Sequence, residues 1–267
     1  MNVKTNMPSP WLTNILRCPQ TRQPLERGRH GWQRCSDGKE YPDQDGISSL
    51  VWPQELTGSD KTMNQRYAWL APFYDLSERW LGHILTGLDM PHARRELVNR
   101  LPLQPGMRLL EVSPGPGIFQ PFLRSRLGEN AQIAAVDLSM HMLKQCQRRY
   151  IAEHVELVHA NAQYLPFADD AFDALFHFGG INLFNDPDRA LQEFVRVVRT
   201  GGLIAWGDEQ MSETFRHPLG RYVLPRLNPG YKIVPPDPPA GMRVSTRHIV
   251  YDGLGSLVVG TKSIPST

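Results

Sequence analysis

The chain is poor in cysteine, with only Cys18, Cys35 and Cys146 in 267 residues. Met1 to Pro10 carries no apolar signal core, so these few thiols point to a reducing, cytoplasmic setting and exclude a disulfide framework. No apolar run approaches the ~18 residues that a membrane-spanning helix needs. Neither sign of charge is in real excess: 29 basic and 27 acidic residues leave a formal net charge of +2. Such a balance does not demand an anionic membrane or a nucleic acid, and no Lys/Arg stripe interleaved with aromatics suggests RNA capture. Internal repeats and long low-complexity segments are missing as well. What remains is room for one sizeable α/β domain and a small appendage.

Proline is the residue in excess. Ten of the 23 prolines lie in Pro19 to Pro53 and in Pro225 to Pro239, and these stretches divide the chain. Residues 11–56 have little helical pattern and many turn signals, among them Cys18-Pro19, Asp37-Gly38 and Asp45-Gly46; they read as a small, mostly-β module. From Ser59 to about Gly87 the pattern turns helical, which makes 59–100 a helical lid or linker. Residues 101–263 alternate strand and helix, the pattern of a parallel sheet. Its expected strands are Met107–Val112, Gln132–Val136, Val155–His159, Phe172–His177 and Leu203–Trp206. An antiparallel pair, Val244–Tyr251 with Ser256–Thr261, follows around Asp252-Gly253.

The most informative segment runs from Arg108 to Phe119 and continues at Ala135-Val-Asp137. A short apolar run ends in an acid, a Gly-x-Gly turn opens a helix, and a second strand ends in Asp137, placed to take ribose hydroxyls. A dinucleotide fingerprint would have a third glycine, but Ile118-Phe119-Gln120 follow Gly117 at once. Glu111, just ahead of the turn, would repel a pyrophosphate and welcome an ammonium group. The expected ligand therefore has a ribose, an adenine and an amino-acid tail.

Glu111-Val-Ser-Pro-Gly-Pro-Gly117 resembles the first motif of class I S-adenosylmethionine-dependent methyltransferases. Asn161-Ala162 through Asp173 and Phe194 through Gly202 are similar to later signatures of that family, in the same order. The resemblance implies a Rossmann-like sheet of seven strands, the last antiparallel. It also implies S-adenosyl-L-methionine as cofactor, held by Glu111, Ser113, Gly115, Gly117, Asp137, Leu138, Met140, Asn161, Ala162 and His177. Asn161 stands where an acid contacts adenine in the family, and its amide carbonyl can serve the adenine amino group. Ser113 stands where the family has glycine, which puts pocket geometry in question. Gly201-Gly202 is expected to end the helix before the fifth strand.

Methyl transfer requires alignment and exclusion of water, and a base only if the acceptor must lose a proton. His177 at the tip of the fourth strand is the first candidate, with Asp208 and Asn182 behind it. Tyr67-Ala-Trp-Leu-Ala-Pro-Phe-Tyr-Asp75 resembles the segment that folds over the cofactor in quinone-biosynthesis methyltransferases, which adds Tyr67 and Tyr74. The tip His177-Phe-Gly-Gly-Ile-Asn182 lacks the Asn/Asp-Pro-Pro-Tyr pattern of amino-group methylation. The expected acceptor is a small, largely apolar molecule methylated at carbon, oxygen or sulfur. Two alternatives stay open: an RNA or protein methyltransferase with a built-in activator, and a non-catalytic cofactor-binding scaffold or regulator.

The first alternative comes from the small module. Ile15 through Pro19 and Cys35 through Ile47, with Tyr41-Pro42 and Asp45-Gly46-Ile47, resemble the zinc-ribbon-like domain that activates RNA and protein methyltransferases. A structural zinc needs four ligands, yet Thr21 and Gly38 stand where cysteine partners would be. A metal-free version is expected, with Cys18 and Cys35 buried side by side. Nothing in the sequence speaks to oligomeric state.

Overall fold

The computed structural model describes residues 8–70, 82–150, 155–227, 231 and 236–264, with the side chains of 66–70, 82 and 227 outside that description. A short helix, α1 (Pro10–Ile15), precedes strands β1 (Leu25–Arg27), β2 (Gly31–Arg34), β3 (Glu40–Gln44) and β4 (Ile47–Ser49). Helices α2 (Gly58–Leu70), α3 (Gly82–Thr86) and α4 (Met90–Asn99) follow. Then come β5 (Arg108–Val112), α5 (Gln120–Leu127), β6 (Gln132–Asp137), α6 (Met140–Arg149), β7 (Glu156–His159) and β8 (Phe172–Phe178). The chain continues through α7 (Pro187–Val197), β9 (Val198–Glu209), α8 (Pro218–Leu227), β10 (Met242–Val250) and β11 (Gly255–Lys262).

Local chemistry explains the boundaries that matter. Strands β5, β6 and β8 are nearly continuous apolar runs because helices cover both faces of a parallel sheet. Ser139 caps α6 by accepting from Met142 N, and Met142, Leu143 and Cys146 point inward at helical spacing. Asp186 caps α7, Pro187 opens it, and Ala190, Leu191, Phe194 and Val197 form its buried stripe. That helix ends at Val197, because Val198 turns extended and pairs with Phe172. Gly201 and Gly202 therefore lie inside β9, where the ladder shifts register, and do not cap the helix.

The strands form one sheet in the order β1-β2-β3-β4-β7-β6-β5-β8-β9-β11-β10. From β7 to β9 neighbouring strands are parallel, and β11 runs antiparallel to both β9 and β10. These seven strands are the Rossmann-like methyltransferase sheet. The order reverses at β5, with β6 on one side and β8 on the other. A crevice therefore opens at the carboxyl ends of these strands, where such sheets bind ligands.

The small module extends this sheet. Ser48 of β4 lies opposite Val158 and Ser49 opposite His159, in parallel pairing, and Leu50 N donates to His159 O at 2.7 Å. A second strip binds α1 to the loop before β8: Arg17 N donates to Pro166 O at 2.9 Å and Ala168 N to Ile15 O at 2.8 Å. Leu12, Leu16, Trp32 and Leu50 pack in one core with Val158, Leu165, Phe167 and Phe172. Forty residues bury too little apolar surface to fold well alone; here they borrow the core of the larger domain. Thr57 to Lys61 is polar in composition but is no free hinge. Gly58 opens α2, and Asp60 is buried.

The cysteines of the module also differ from expectation. Cys18 is buried, with its Sγ 3.0 Å from Tyr41 Oη and 3.4 Å from Arg34 Nη1. Burial would raise the thiol pKa, but hydrogen bonds from Thr21 and Tyr41 outweigh it and bring it to about 7. Cys35 is exposed and reaches Pro24 O, so it does not pack beside Cys18. Among the described residues, no group of three or more His, Cys, Asp or Glu side chains could hold a metal ion.

Candidate functional site

The crevice holds a cavity whose floor is the turn after β5. Ser113 leaves the strand with its N–H on Val136 O at 2.7 Å and adopts φ +57°, the left-handed region that glycine enters without cost. Gly115 follows at φ +55°; nothing lies within 4 Å of where a Cβ would stand, so this stretch of backbone faces open space for a ligand. Gly117 plays another part. A Cβ there would meet Tyr150 Cε2 at 2.5 Å and Cys146 Sγ at 2.8 Å, so it is glycine because α6 and the residue that ends it press against the turn.

Asp137, at the end of β6, ties these pieces together. Its Oδ2 accepts from Gly115 N at 3.0 Å and its Oδ1 from Ser139 N at 2.8 Å. Burial raises its pKa to about 6, against the opposing pull of the N–H groups of Ser139, Gly115 and Leu138. A carboxylate held at a cavity wall with spare lone pairs is suited to a vicinal diol.

At one end of the cavity, Asn161 and Ala162 face three residues of α2, Asp60, Met63 and Asn64. Asp60 Oδ2 accepts from Asn161 Nδ2 at 3.0 Å and Gln163 Nε2 at 2.7 Å, while its Oδ1 accepts from Asn185 N at 3.1 Å. The Asn161 carbonyl receives Gln163 N at 2.9 Å and Gln163 Nε2 at 3.1 Å. Both its lone pairs are engaged, so it does not offer the free acceptor expected of it.

The other end is more apolar. Phe178, Leu183, Phe184 and Tyr251 line it around the Gly179-Gly180 turn, with Arg94 and Glu209 nearby. Asp208 builds that turn. Its Oδ1 accepts from Gly180 N at 2.8 Å and Glu209 N at 2.7 Å, and its Oδ2 from Asn182 N at 3.0 Å. The side-chain amide nitrogen of Asn182 is buried and has no hydrogen-bond partner among the described residues. An orphaned donor on a cavity wall marks a place for an acceptor atom of a ligand.

Of the residues singled out in the sequence, Ser113, Gly115, Asp137, Leu138, Asn161, Ala162, Asn182 and Asp208 line the cavity. Four do not. Glu111 is buried beneath the turn, where Gln120 Nε2 donates to it, and burial raises its pKa to about 8; it is no open counter-charge for an ammonium group. Gly117 packs on α6, and Met140 sits at the start of that helix outside the lining. His177 is wholly buried between Phe184 and Phe194, because strand alternation turns it away from the cavity and towards α7. Its Nδ1 donates to Val112 O at 3.0 Å, and burial lowers its pKa. His177 does not line the cavity, and its Nε2 is buried with no hydrogen-bond partner among the described residues. Tyr74 lies outside the described residues, as does the Tyr67 side chain.

Asp60, Met63, Asn64, Ser139, Met142 and Tyr251 escaped the sequence reading. The first three recur at i, i+3 and i+4, the signature of one helix face, but α2 was read for its aromatics.

Residues 110–206 match the model of a Methyltransferase domain. The demethylmenaquinone methyltransferase of Desulfitobacterium hafniense (strain Y51) is 29% identical over 165 residues, 60% of this chain and 64% of that protein. The ubiquinone/menaquinone biosynthesis C-methyltransferase UbiE of Legionella pneumophila (strain Paris) is 30% identical over 162 residues, 59% and 61% of the two chains. The chain thus spans about three-fifths of the length of these curated relatives. A solved structure from Methanococcus maripaludis, a putative S-adenosyl-L-methionine-dependent methyltransferase, superposes with a TM-score of 0.53. It is 16% identical, over 80% of this chain and 98% of that one, and the likeness shows the fold. Among the described residues no helix is long and apolar enough to cross a membrane.

The cavity fits an adenosyl group with an amino-acid tail. Asp137 offers acceptors for a diol, the backbone at Gly115 lies open beside it, and Asn182 adds a donor without a partner among the described residues.

Proposed function

We propose that this chain is an S-adenosylmethionine-dependent methyltransferase acting on a small, largely apolar acceptor at carbon, oxygen or sulfur. The observation that carries the reading is the shared cavity: Asp137 and the Ser113 to Gly115 turn at one end open directly onto Phe178, Leu183, Phe184 and Tyr251 at the other. When bound, the cofactor supplies an activated methyl group. Asp137 holds the ribose, the glycine turn accommodates the tail, and the loop fixed by Asp208 positions the acceptor. The apolar wall excludes water, and alignment with desolvation is the main catalytic contribution such a transfer needs. Asp208 spends both oxygens on backbone N–H groups, so it positions the loop and does not take a proton.

The names of the two curated relatives favour a quinone-like aromatic ring as acceptor, which suits the phenylalanine and tyrosine lining. Residues 11–56 are read as a built-in, metal-free relative of the methyltransferase activator module; its pairing along β7 supports a stabilising role. Incubating the purified chain with methyl-labelled cofactor and cell extract tests the activity. Label is expected in the organic phase. Label in nuclease- or protease-sensitive material would favour a macromolecular acceptor, and no transfer despite cofactor binding would favour the scaffold reading.

A further inference from the structure

Asp60 is a buried carboxylate that no methyltransferase motif in this sequence contains, and it sits against the loop where the family places its adenine-contacting acid. Three donors occupy it: Asn161 Nδ2 at 3.0 Å, Gln163 Nε2 at 2.7 Å and Asn185 N at 3.1 Å. Two carboxylate oxygens offer about four lone-pair sites, so among the described residues one remains, on Oδ1, and Asp60 lines the cavity. The neighbouring candidate, Asn161, has no acceptor left, because Gln163 N and Gln163 Nε2 fill its carbonyl. An exocyclic amino group arriving at this end therefore finds its side-chain acceptor on α2. The first turn of a helix is also where a buried carboxylate is best tolerated, since free N–H groups and the helix dipole favour negative charge there.

We infer that Asp60 is the residue that reads the adenine amino group: the carboxylate has moved from the loop after β7 to the lid helix, and Asn161 has become its support. This rests on the reading of the cavity as an S-adenosylmethionine site.

Calorimetry with S-adenosylhomocysteine and its inosine analogue, in which a carbonyl replaces the amino group, tests the assignment. The wild-type chain is expected to prefer the adenine ligand at least tenfold, because an unpaired buried acceptor penalises the wrong base. Asp60→Asn, which offers a donor to that carbonyl, is expected to reduce the preference by tenfold or more. The double variant Asp60→Asn with Asn161→Asp returns a carboxylate to the cluster and should restore the preference; if Asp60→Asn does not fold, Asp60→Ala, which removes the acceptor, is expected to lose the preference as well. A purely structural role for Asp60 would weaken both ligands equally and leave their ratio unchanged, which would overturn the assignment. If the folded wild-type chain binds neither ligand, the cofactor reading of the cavity itself fails.

Discussion

Ser49 and His159 join the small module to the cavity wall. His159 Nε2 donates to Leu138 O at 3.1 Å, so its neutral ring accepts the Ser49 hydroxyl at Nδ1, 2.9 Å away; burial lowers its pKa and keeps it neutral. Leu138 lines the cavity. A residue of β4 thus steadies, through one imidazole, the turn that presents Asp137.

Removing residues 1–56 should expose the β7 edge and the apolar surface now covered by Leu16 and Leu50, since an unpaired strand beside apolar side chains invites aggregation. Among the described residues, none that lines the cavity precedes Asp60. The truncated chain is therefore expected to melt lower and to precipitate, while the soluble fraction keeps its cofactor affinity. Light scattering and thermal melting check this. Unchanged solubility and melting temperature would mean that the module does not stabilise the sheet, and would redirect it towards substrate recruitment.

Cofactor affinity should fall with acidity. Asp137 titrates at about 6 in the folded chain because it is buried, and only its ionised form gives charge-assisted hydrogen bonds, worth about 1.5–3 kcal/mol each, to the ribose hydroxyls. The dissociation constant of S-adenosylhomocysteine is expected to rise steadily as pH drops through about 6. Asp137→Ala should bind at least about 2 kcal/mol more weakly and lose the pH dependence. An unaltered affinity in that variant would remove Asp137 from the site.

The sheet and its ligand end were readable because they rest on local patterns: apolar runs between turns, a glycine turn after β5, an acid ending β6. Residues fixed by pairing between distant segments were not. His177 looked exposed at a strand tip, but its face of β8 is decided by the register with β5 and β9 and by Phe194 on α7. Asp60 stands in a polar stretch with nothing local to mark it, because its three partners lie more than a hundred residues away. The fusion of the small module into the sheet depends on β4 meeting β7, which no local spacing encodes.

Ser113→Gly should stabilise the chain. A non-glycine residue at φ +57° carries about 1–2 kcal/mol of strain, partly offset by the greater freedom that glycine gives the unfolded state. The expected net gain is roughly 1 kcal/mol, seen as a higher urea midpoint. Because Ser113 lines the cavity, cofactor affinity should rise with it. A loss of stability would show that the serine side chain makes a contact worth more than the strain.

Glu111→Gln is expected to stabilise the protein increasingly as pH rises. Burial, opposed by the Gln120 hydrogen bond and reinforced by the nearby Asp137 charge, lifts the folded-state pKa to about 8 from an ordinary 4.5. An acid whose pKa is raised on folding holds its proton more tightly in the folded chain, so stability falls as pH climbs from about 4.5 to about 8 and is level beyond. Glutamine removes that slope. It keeps an acceptor for Gln120 Nε2 and adds a donor beside Gln120 Oε1, which is buried without a partner among the described residues. Urea unfolding of both proteins across this range should give curves that meet near pH 4.5 and separate by a few kcal/mol, in order of magnitude, at pH 8. Parallel curves would mean that Glu111 is ionised in the folded chain at neutral pH, which would restore it as a counter-charge for the cofactor's ammonium group.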